Sequence, residues 1–372
     1  MSGLPPAPPT HRNGRWLVLG FVLALAGFTF LCWRDASRSS VRPVAGGTFV
    51  GKDVDGRLVQ VCLFEQTAGW HDEAGWQGWL YRDELVETGW FSTKNRTQPW
   101  SESVVMRERG GLPTPPKSII ASTTDALKLN ATLPRLASWG NDTANLSRQF
   151  EHLSFRRRLG LKLGRFGGTK EFRAQFPKLP AGVLFFDAVT AGMVQRFETR
   201  AGQFTQGIFA HWKEACALDW PATMSEWRVT ENWQLRLLTT NLVSFCVFGH
   251  VETGGNGNHS RWRGENFVAT DGGFHRLKMT ELFGAGSDWE GELRVRCVPK
   301  LKAISAPRPE AVLDKDVALD VFTLSPTGLQ IYFNPYAIAS GADGEFVVHF
   351  DYGELKDLLR TDGPAAFLPR AP

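Results

Sequence analysis

His250, Glu252 and His259 surround one glycine-rich loop and are the residues best typed to hold a metal ion. Imidazole and carboxylate are what a divalent transition metal takes. Ligands also need a rigid frame and outer partners, and the four glycines within 254–264 deny them one. The three are therefore expected as hydrogen-bonded or solvated loop polars, with no metal and no cofactor. The eight histidines (11, 71, 152, 211, 250, 259, 275 and 349) give no other ligand spacing. The chain has no G-x-S-x-G elbow, H-E-x-x-H pair, Walker loop or G-x-G-x-x-G turn, so no catalytic residue is expected.

Binding chemistry is better represented. Trp70, Trp76, Trp79, Trp90 and Trp100 crowd into one short stretch. Flat indoles stack on sugar faces or anchor protein contacts, and they also fill the core of a small sheet. Core is the preferred reading, with one or two exposed; Trp79, on the face opposite Trp76 and Trp90, is the binding candidate. Between 148 and 173, Arg148, Arg156, Arg157, Arg158, Lys162, Arg165, Lys170 and Arg173 outnumber Glu151 and Glu171. Such a stretch can lie on anionic headgroups or an acidic wall polymer; a solvated basic helix face is the plainer expectation. The net charge of +4 is too small for a nucleic-acid coat, and no nucleic-acid partner is expected.

The elements that must position these groups are legible in part. The chain has 372 residues, 42% hydrophobic and 22% charged, enough for two or three domains with real cores. Residues 16–33 (WLVLGFVLALAGFTFLCW) carry no charge and at ~1.5 Å per residue span a bilayer core as a helix. Trp16 and Trp33 stand at the two interfaces, inside Arg15 and Arg34. The end of the stretch is too bulky for signal-peptide cleavage. An uncleaved anchor is expected, with 1–15 as a short cytoplasmic head and the bulk outside. Cys62, Cys216, Cys246 and Cys297 follow it, an even number with no C-x-x-C. They fit two disulfides in an oxidising compartment, with three possible pairings; four buried thiols in a reducing one is the alternative.

Residues 46–110 read as a small antiparallel β-rich domain from 57–65, 76–82 and 85–91, and 111–180 as linker and basic segment. From Phe186, apolar residues recur every three or four through Val189, Met193, Phe197, Ala201, Phe204, Ile208 and Trp212. This is the buried stripe of a helix of about seven turns, with Asp187 as its cap. Strands are expected over 226–231, 233–240, 241–252 and 265–270, with a turn at Asp271-Gly272-Gly273. The last unit is three short strands (321–324, 329–333 and 345–350) and a closing helix from Asp351 to about Arg360. Strands followed by helices make an α+β pattern.

That last unit resembles the C-terminal domain of unknown function found in RsiV-like anti-sigma factors and beside PdaC-type peptidoglycan deacetylases. Phe333, Pro335, Tyr336, Gly341, Gly344, Leu355 and Leu358 fall at the matching places. Upstream, Thr253-Gly254-Gly255 and His259 resemble the family's Gly-Gly-Ala-His loop, here interrupted by Asn256-Gly257-Asn258. The likeness covers roughly 180–360. It implies an α+β domain over 181–362, a long helix packed on an antiparallel sheet, held outside the membrane by one helix. It also implies a link to envelope stress sensing, lysozyme recognition or cell-wall modification. The deacetylase core needs an Asp-Asp pair and H-x-x-x-H, and neither occurs. The 15-residue head is too short for a sigma-binding domain. Beyond residue 33 there are 40 Lys+Arg against 38 Asp+Glu, so a strongly basic lysozyme gains no long-range steering.

The expected function is a membrane-anchored, periplasmic, non-catalytic module that binds cell-wall glycan or an envelope protein of the lysozyme type. An envelope hydrolase with an unfamiliar site is the rival. Gly254, Gly255, His259, Asn334, Pro335, Tyr336 and Trp79 are the binding candidates; Arg156, Arg157, Arg158, Lys162 and Arg165 are the basic surface.

Overall fold

Long runs of β-formers with two-residue alternation dominate the described part of the chain, and one sheet absorbs most of them. A computed structural model describes residues 39–52, 58–66, 75–82, 86–93, 105–107, 118–122, 128–132, 143–159, 170–217, 227–252, 259–284, 288–340, 345–364 and 366–368. The strands are β1 (Ser39–Lys52), β2 (Leu58–Gln66), β3 (Gly75–Arg82), β4 (Val86–Thr93), β5 (Val105–Arg107), β6 (Ser118–Ser122), β7 (Lys128–Thr132), β8 (Thr143–Leu159), β9 (Lys170–Pro177), β10 (Trp227–Leu238), β11 (Leu242–Glu252), β12 (His259–Thr270) and β13 (Gly273–Arg276). Their order is β13-β12-β11-β10-β9-β8-β1-β2-β3-β4-β5, with β6 and β7 branching from β8. All pairings are antiparallel except β9 with β10. The strands of 46–110, expected as a sheet of their own, are thus joined to those of 181–362 through β8 and β9.

The crossover between parallel β9 and β10 carries the long helix, as such a connection must. Helix α1 runs Leu184–Ala217. Phe186, Val189, Met193, Phe197 and Ala201 are buried on one sheet face with Phe172, Phe176, Trp233, Phe245 and Phe267, as their spacing predicts. Asp187 is not the cap. The helix starts three residues earlier, and the Asp187 carboxylate, inside the first turn, accepts the Gly182 N–H at 3.3 Å. The 148–173 stretch was expected to be helical; it contains strands instead. Phe155 and Leu159 are four apart, but pairing with β1 and β9 prevails over that local signal, and tertiary context routinely does so.

The opposite face is covered by a second, three-stranded sheet of β14 (Phe322–Leu324), β15 (Gly328–Phe333) and β16 (Phe346–Asp351), matching the expected strands. Helix α2 (Trp289–Ala303) closes its far side through Leu293, Cys297 and Leu301. Two observations explain the close approach. A Cβ on Gly264 would lie 1.7 Å from the Phe322 carbonyl oxygen, so only glycine lets β14 cross β12 there. Ser244 then accepts the Leu324 N–H at 2.9 Å, and the Asn266 amide donates to the Phe322 carbonyl at 2.9 Å. A register shift in β10 between Leu235 and Leu237 marks a bulge at Arg236. Leu235 therefore packs under α1 while Leu237 joins the core on the other side, and Arg236 donates to Gln330 of β15 at 2.9 Å.

The closing segment is a chain of turns rather than the expected helix. Its hydrogen bonds are mostly i to i+3, and Arg360 N–H donates to Leu282 carbonyl at 2.8 Å. The Phe283–Leu359 bridge takes the backbone out of helical register. The architecture is α+β: a helix, a large sheet, a small sheet and a second helix. No helix among the described residues is long and apolar enough to cross a membrane; residues 16–33 lie outside them.

Candidate functional site

Trp79 is not a surface platform. It is 2% exposed, packed edge-on against Phe64 at 5.5 Å and Trp262 at 5.9 Å, with Phe248 at 5.0 Å. The large sheet curls so that β2 and β3 meet β11, β12 and β15 in a shared core of Cys62, Phe64, Trp79, Cys246, Trp262, Tyr332 and Val347. The register pairs Trp79 directly with Trp90, at odds with placing the two on opposite faces, and the face that Trp79 occupies is covered by the curled sheet. Nor are the expected disulfides present: Cys62, Cys246 and Cys297 are buried thiols outside any disulfide. Cys62 lies in the interior near Thr48 and Gln60, and burial pushes the Cys297 thiol up to about 12. With three of the four outside any disulfide, no two-disulfide pairing of Cys62, Cys216, Cys246 and Cys297 stands.

The Asn334-Pro335-Tyr336 loop is where a candidate surface forms. β13 pairs with β12 only from Phe267 onward, so among the described residues no strand lies beside the edge of β12 at Trp262. The Asn334 side chain takes that place. Its Oδ1 accepts the Trp262 N–H at 2.6 Å and its Nδ2 donates to the Trp262 carbonyl at 3.0 Å. A carboxamide carries one donor and one acceptor group in the geometry of a peptide, and so completes the ladder. Below it, Trp262 stacks on Tyr332 at 5.6 Å with an interplanar angle of 27°. Above it, Tyr336 has φ +72° and is 74% exposed. A left-handed φ costs a non-glycine residue about 1–2 kcal/mol, a cost the clamped loop sustains. The loop therefore holds out a flat aromatic face with one hydroxyl, on a fixed base.

The same strand carries a charged constellation on its other face. Trp262 points into the core, so Arg261, Arg263 and Glu265 point towards α1. Glu231 and Glu265 are both 0% exposed. Glu265 is gripped by both terminal nitrogens of Arg196, each at 2.7 Å, and by Arg276 at 3.3 Å. Glu231 meets Arg200 at 2.6 Å and Arg263 at 2.9 Å, and accepts the Trp233 indole N–H at 3.2 Å. Burial raises the Glu231 carboxyl above its ordinary range, against the opposing pull of Arg200 and Trp233. Sequence reasoning missed this lattice. Its trace was alternation: Glu231 shares the apolar parity of Val229 and Trp233, and Glu265 that of Phe267. A carboxylate on a core-facing position must find a partner.

The remaining predicted site residues disperse. Arg156 binds Glu171 with two contacts of 2.7 and 3.0 Å, Arg158 reaches it at 3.5 Å, and Arg157 lies 3.6 Å from Glu198 of α1. These arginines are engaged within the protein rather than forming the free helix face expected. Burial pushes the Glu171 carboxyl up, but the Arg156 bonds with the charges of Arg156, Arg158 and Arg173 outweigh it and leave it below its usual range. His250 pairs its Nδ1 with Ser260 Oγ at 3.0 Å. His259 opens β12 opposite Val251, three residues from the Asn334 clamp. Among the described residues no three His, Cys, Asp or Glu side chains could hold a metal. Gly254, Gly255, Lys162 and Arg165 lie outside the described residues.

Residues 296–353 match the family described as "Protein of unknown function (DUF3298)". A solved DUF3298-family protein of Bacteroides fragilis NCTC 9343 is 15% identical, over 59% of this chain and 96% of that one, with a TM-score of 0.42. A second, from Pseudomonas aeruginosa PAO1, is also 15% identical, over 55% and 94%, with a TM-score of 0.36. No curated protein matches the chain.

Proposed function

We propose that this chain is a binding module of the bacterial cell envelope, anchored by residues 16–33 with its bulk on the periplasmic side, and that it takes up wall glycan on the Tyr336 loop. The observation that carries the reading is Tyr336 itself: an aromatic ring 74% exposed on a left-handed backbone, two residues beyond a side chain that fastens the loop to β12. A rigid flat ring loses little entropy on stacking against a sugar face. A non-catalytic role is part of the proposal; the Asn334 amide of the same loop is spent on the Trp262 backbone at both ends.

The test is retention of the full chain, in detergent, on insoluble peptidoglycan. An aromatic anchor contributes about 2 kcal/mol or more, so Tyr336→Ala is expected to weaken retention by tenfold or more while the fold is unchanged by circular dichroism. Equal retention of the two proteins refutes the assignment. Release of soluble fragments would favour the hydrolase instead.

A further inference from the structure

The charged lattice under α1 has more cation than its buried acids require. Across β10, β11 and β12, Glu231 aligns with Gly249 and Arg261, and the next row on that face is Trp233, Val247 and Arg263. Arg276 joins from β13 beside Phe267, and Arg196 and Arg200 reach down from α1 one turn apart. Four guanidiniums thus contact two carboxylates, and Arg261 stands in the same row as Glu231, which leaves three positive charges on this shelf. Their exposure is graded: the side chains of Arg263, Arg200 and Arg196 are 25%, 30% and 32% exposed, that of Arg276 is 56%, and Arg261 is exposed. Gly249 leaves the floor between Glu231 and Arg261 without a side chain.

We propose that this arginine shelf binds the oxyanions of an acidic glycan, with carboxylates or phosphodiesters along its chain. The buried acids have a second consequence besides holding α1 to the sheet. They fix the guanidinium planes of Arg196, Arg200, Arg263 and Arg276, so little rotamer entropy remains to be lost when an outside anion arrives. Each guanidinium has five N–H groups, and the contacts to Glu231 and Glu265 use only some of them. Arg forks match carboxylate and phosphate alike. Arg261 and Arg263 also flank Trp262, the residue that clamps Asn334, so one strand segment supports both the Tyr336 loop and the shelf. The inference rests on the glycan reading and narrows it to acidic glycans.

The experiment is a binding series with the full chain in detergent at low and high salt on three immobilised polymers: polygalacturonate, a glycerol-phosphate polymer and neutral dextran. Retention on one or both acidic polymers, lost at high salt and absent on dextran, is expected; which of the two is retained identifies the anion. The Arg261→Ala/Arg276→Ala variant removes the two most exposed guanidiniums and is expected to weaken acidic-polymer binding about tenfold. Arg261→Lys keeps the charge without the fork and should fall between, which guards against a variant that merely unfolds. Equal binding to dextran, or full binding by the double variant, overturns the shelf. Tyr336→Ala separates the two ideas: peptidoglycan retention lost through Tyr336 while the double variant binds acidic polymer normally sinks the shelf alone. The reverse pattern leaves the shelf standing and removes the Tyr336 assignment.

Discussion

Asn334→Ala isolates the contact on which the candidate surface depends. The substitution deletes two hydrogen bonds, of 2.6 and 3.0 Å, and leaves both the N–H and the carbonyl of Trp262 without their partner at an otherwise bare strand edge. Each bond is worth about 1 kcal/mol net, and a buried backbone group left unsatisfied costs about 1–3 kcal/mol. Trp262 is 1% exposed and its two bonds to Asn334 are partly buried, so the expected loss is about 2–3 kcal/mol. The local assay is hydrogen exchange of the Trp262 amide, which should speed up roughly a hundredfold at ~1.4 kcal/mol per decade. Urea titration reads the global part. Asn334→Asp sharpens the logic. A carboxylate still accepts from the Trp262 N–H but sets its second oxygen against the Trp262 carbonyl, so at neutral pH it should cost at least as much as alanine. Protonation restores a donor, so its deficit should shrink as the pH falls below about 4. An alanine variant within about 0.5 kcal/mol of the parent, with unchanged Trp262 exchange, would refute the clamp.

Tyr336→Gly should raise stability by up to about 1 kcal/mol, because glycine takes φ +72° without strain, while peptidoglycan retention falls; urea midpoints and pulldown read the two effects. Cys62, Cys246 and Cys297 should resist a thiol reagent in the native state and react after denaturation, with or without prior reductant; mass mapping of a disulfide to any of them would contradict the structure. Glu171→Gln should destabilise the protein at neutral pH by about 1–3 kcal/mol. The folded Glu171 carboxyl lies below its ordinary value, so its contribution is present above about pH 4.5 and lost as the pH falls through the folded value. Parent and variant should therefore converge in acid urea titrations. Gly264→Ala forces a methyl group into the Phe322 carbonyl, and overpacking against backbone should cost about 3 kcal/mol or more, seen as a lowered thermal midpoint.

What was readable in the sequence follows from how local each signal is. The stripe from Phe186 to Ala201 repeats with the helical period, and every one of those side chains is buried under α1's own contact face. The three terminal strands are bounded by their own turn residues. The failures share one cause: the partner lies far away in sequence. Residues 148–159 carry helical spacing, yet β1, about a hundred residues upstream, and β9, whose partners lie 11 to 25 residues downstream, claim them as a strand. Trp79 alternates as a two-faced sheet requires, but nothing nearby foretells that Trp262 and Tyr332 will cover its outer face. Asn334 was singled out as part of a surface, yet its amide's use on Trp262 depends on β13 being too short to reach that edge.

A strand edge that ends its pairing early is a liability, because its open N–H and carbonyl groups invite another chain. At Trp262 the protein closes that edge with a side chain instead of a strand, and this choice has a consequence for function. A single carboxamide satisfies the backbone of Trp262, while on the α1 face Arg261 is exposed and Arg263 partly so, and Tyr336 stands clear beyond Asn334. Gly264, immediately beyond, lets β14 fix the strand from the core side without enlarging the interior. The rigidity of the core aromatics and the openness of the surface are thus supplied by adjacent residues of one strand. That juxtaposition explains how a buried, heavily packed β12 can still have positive charge at its surface and an exposed aromatic ring beside its edge.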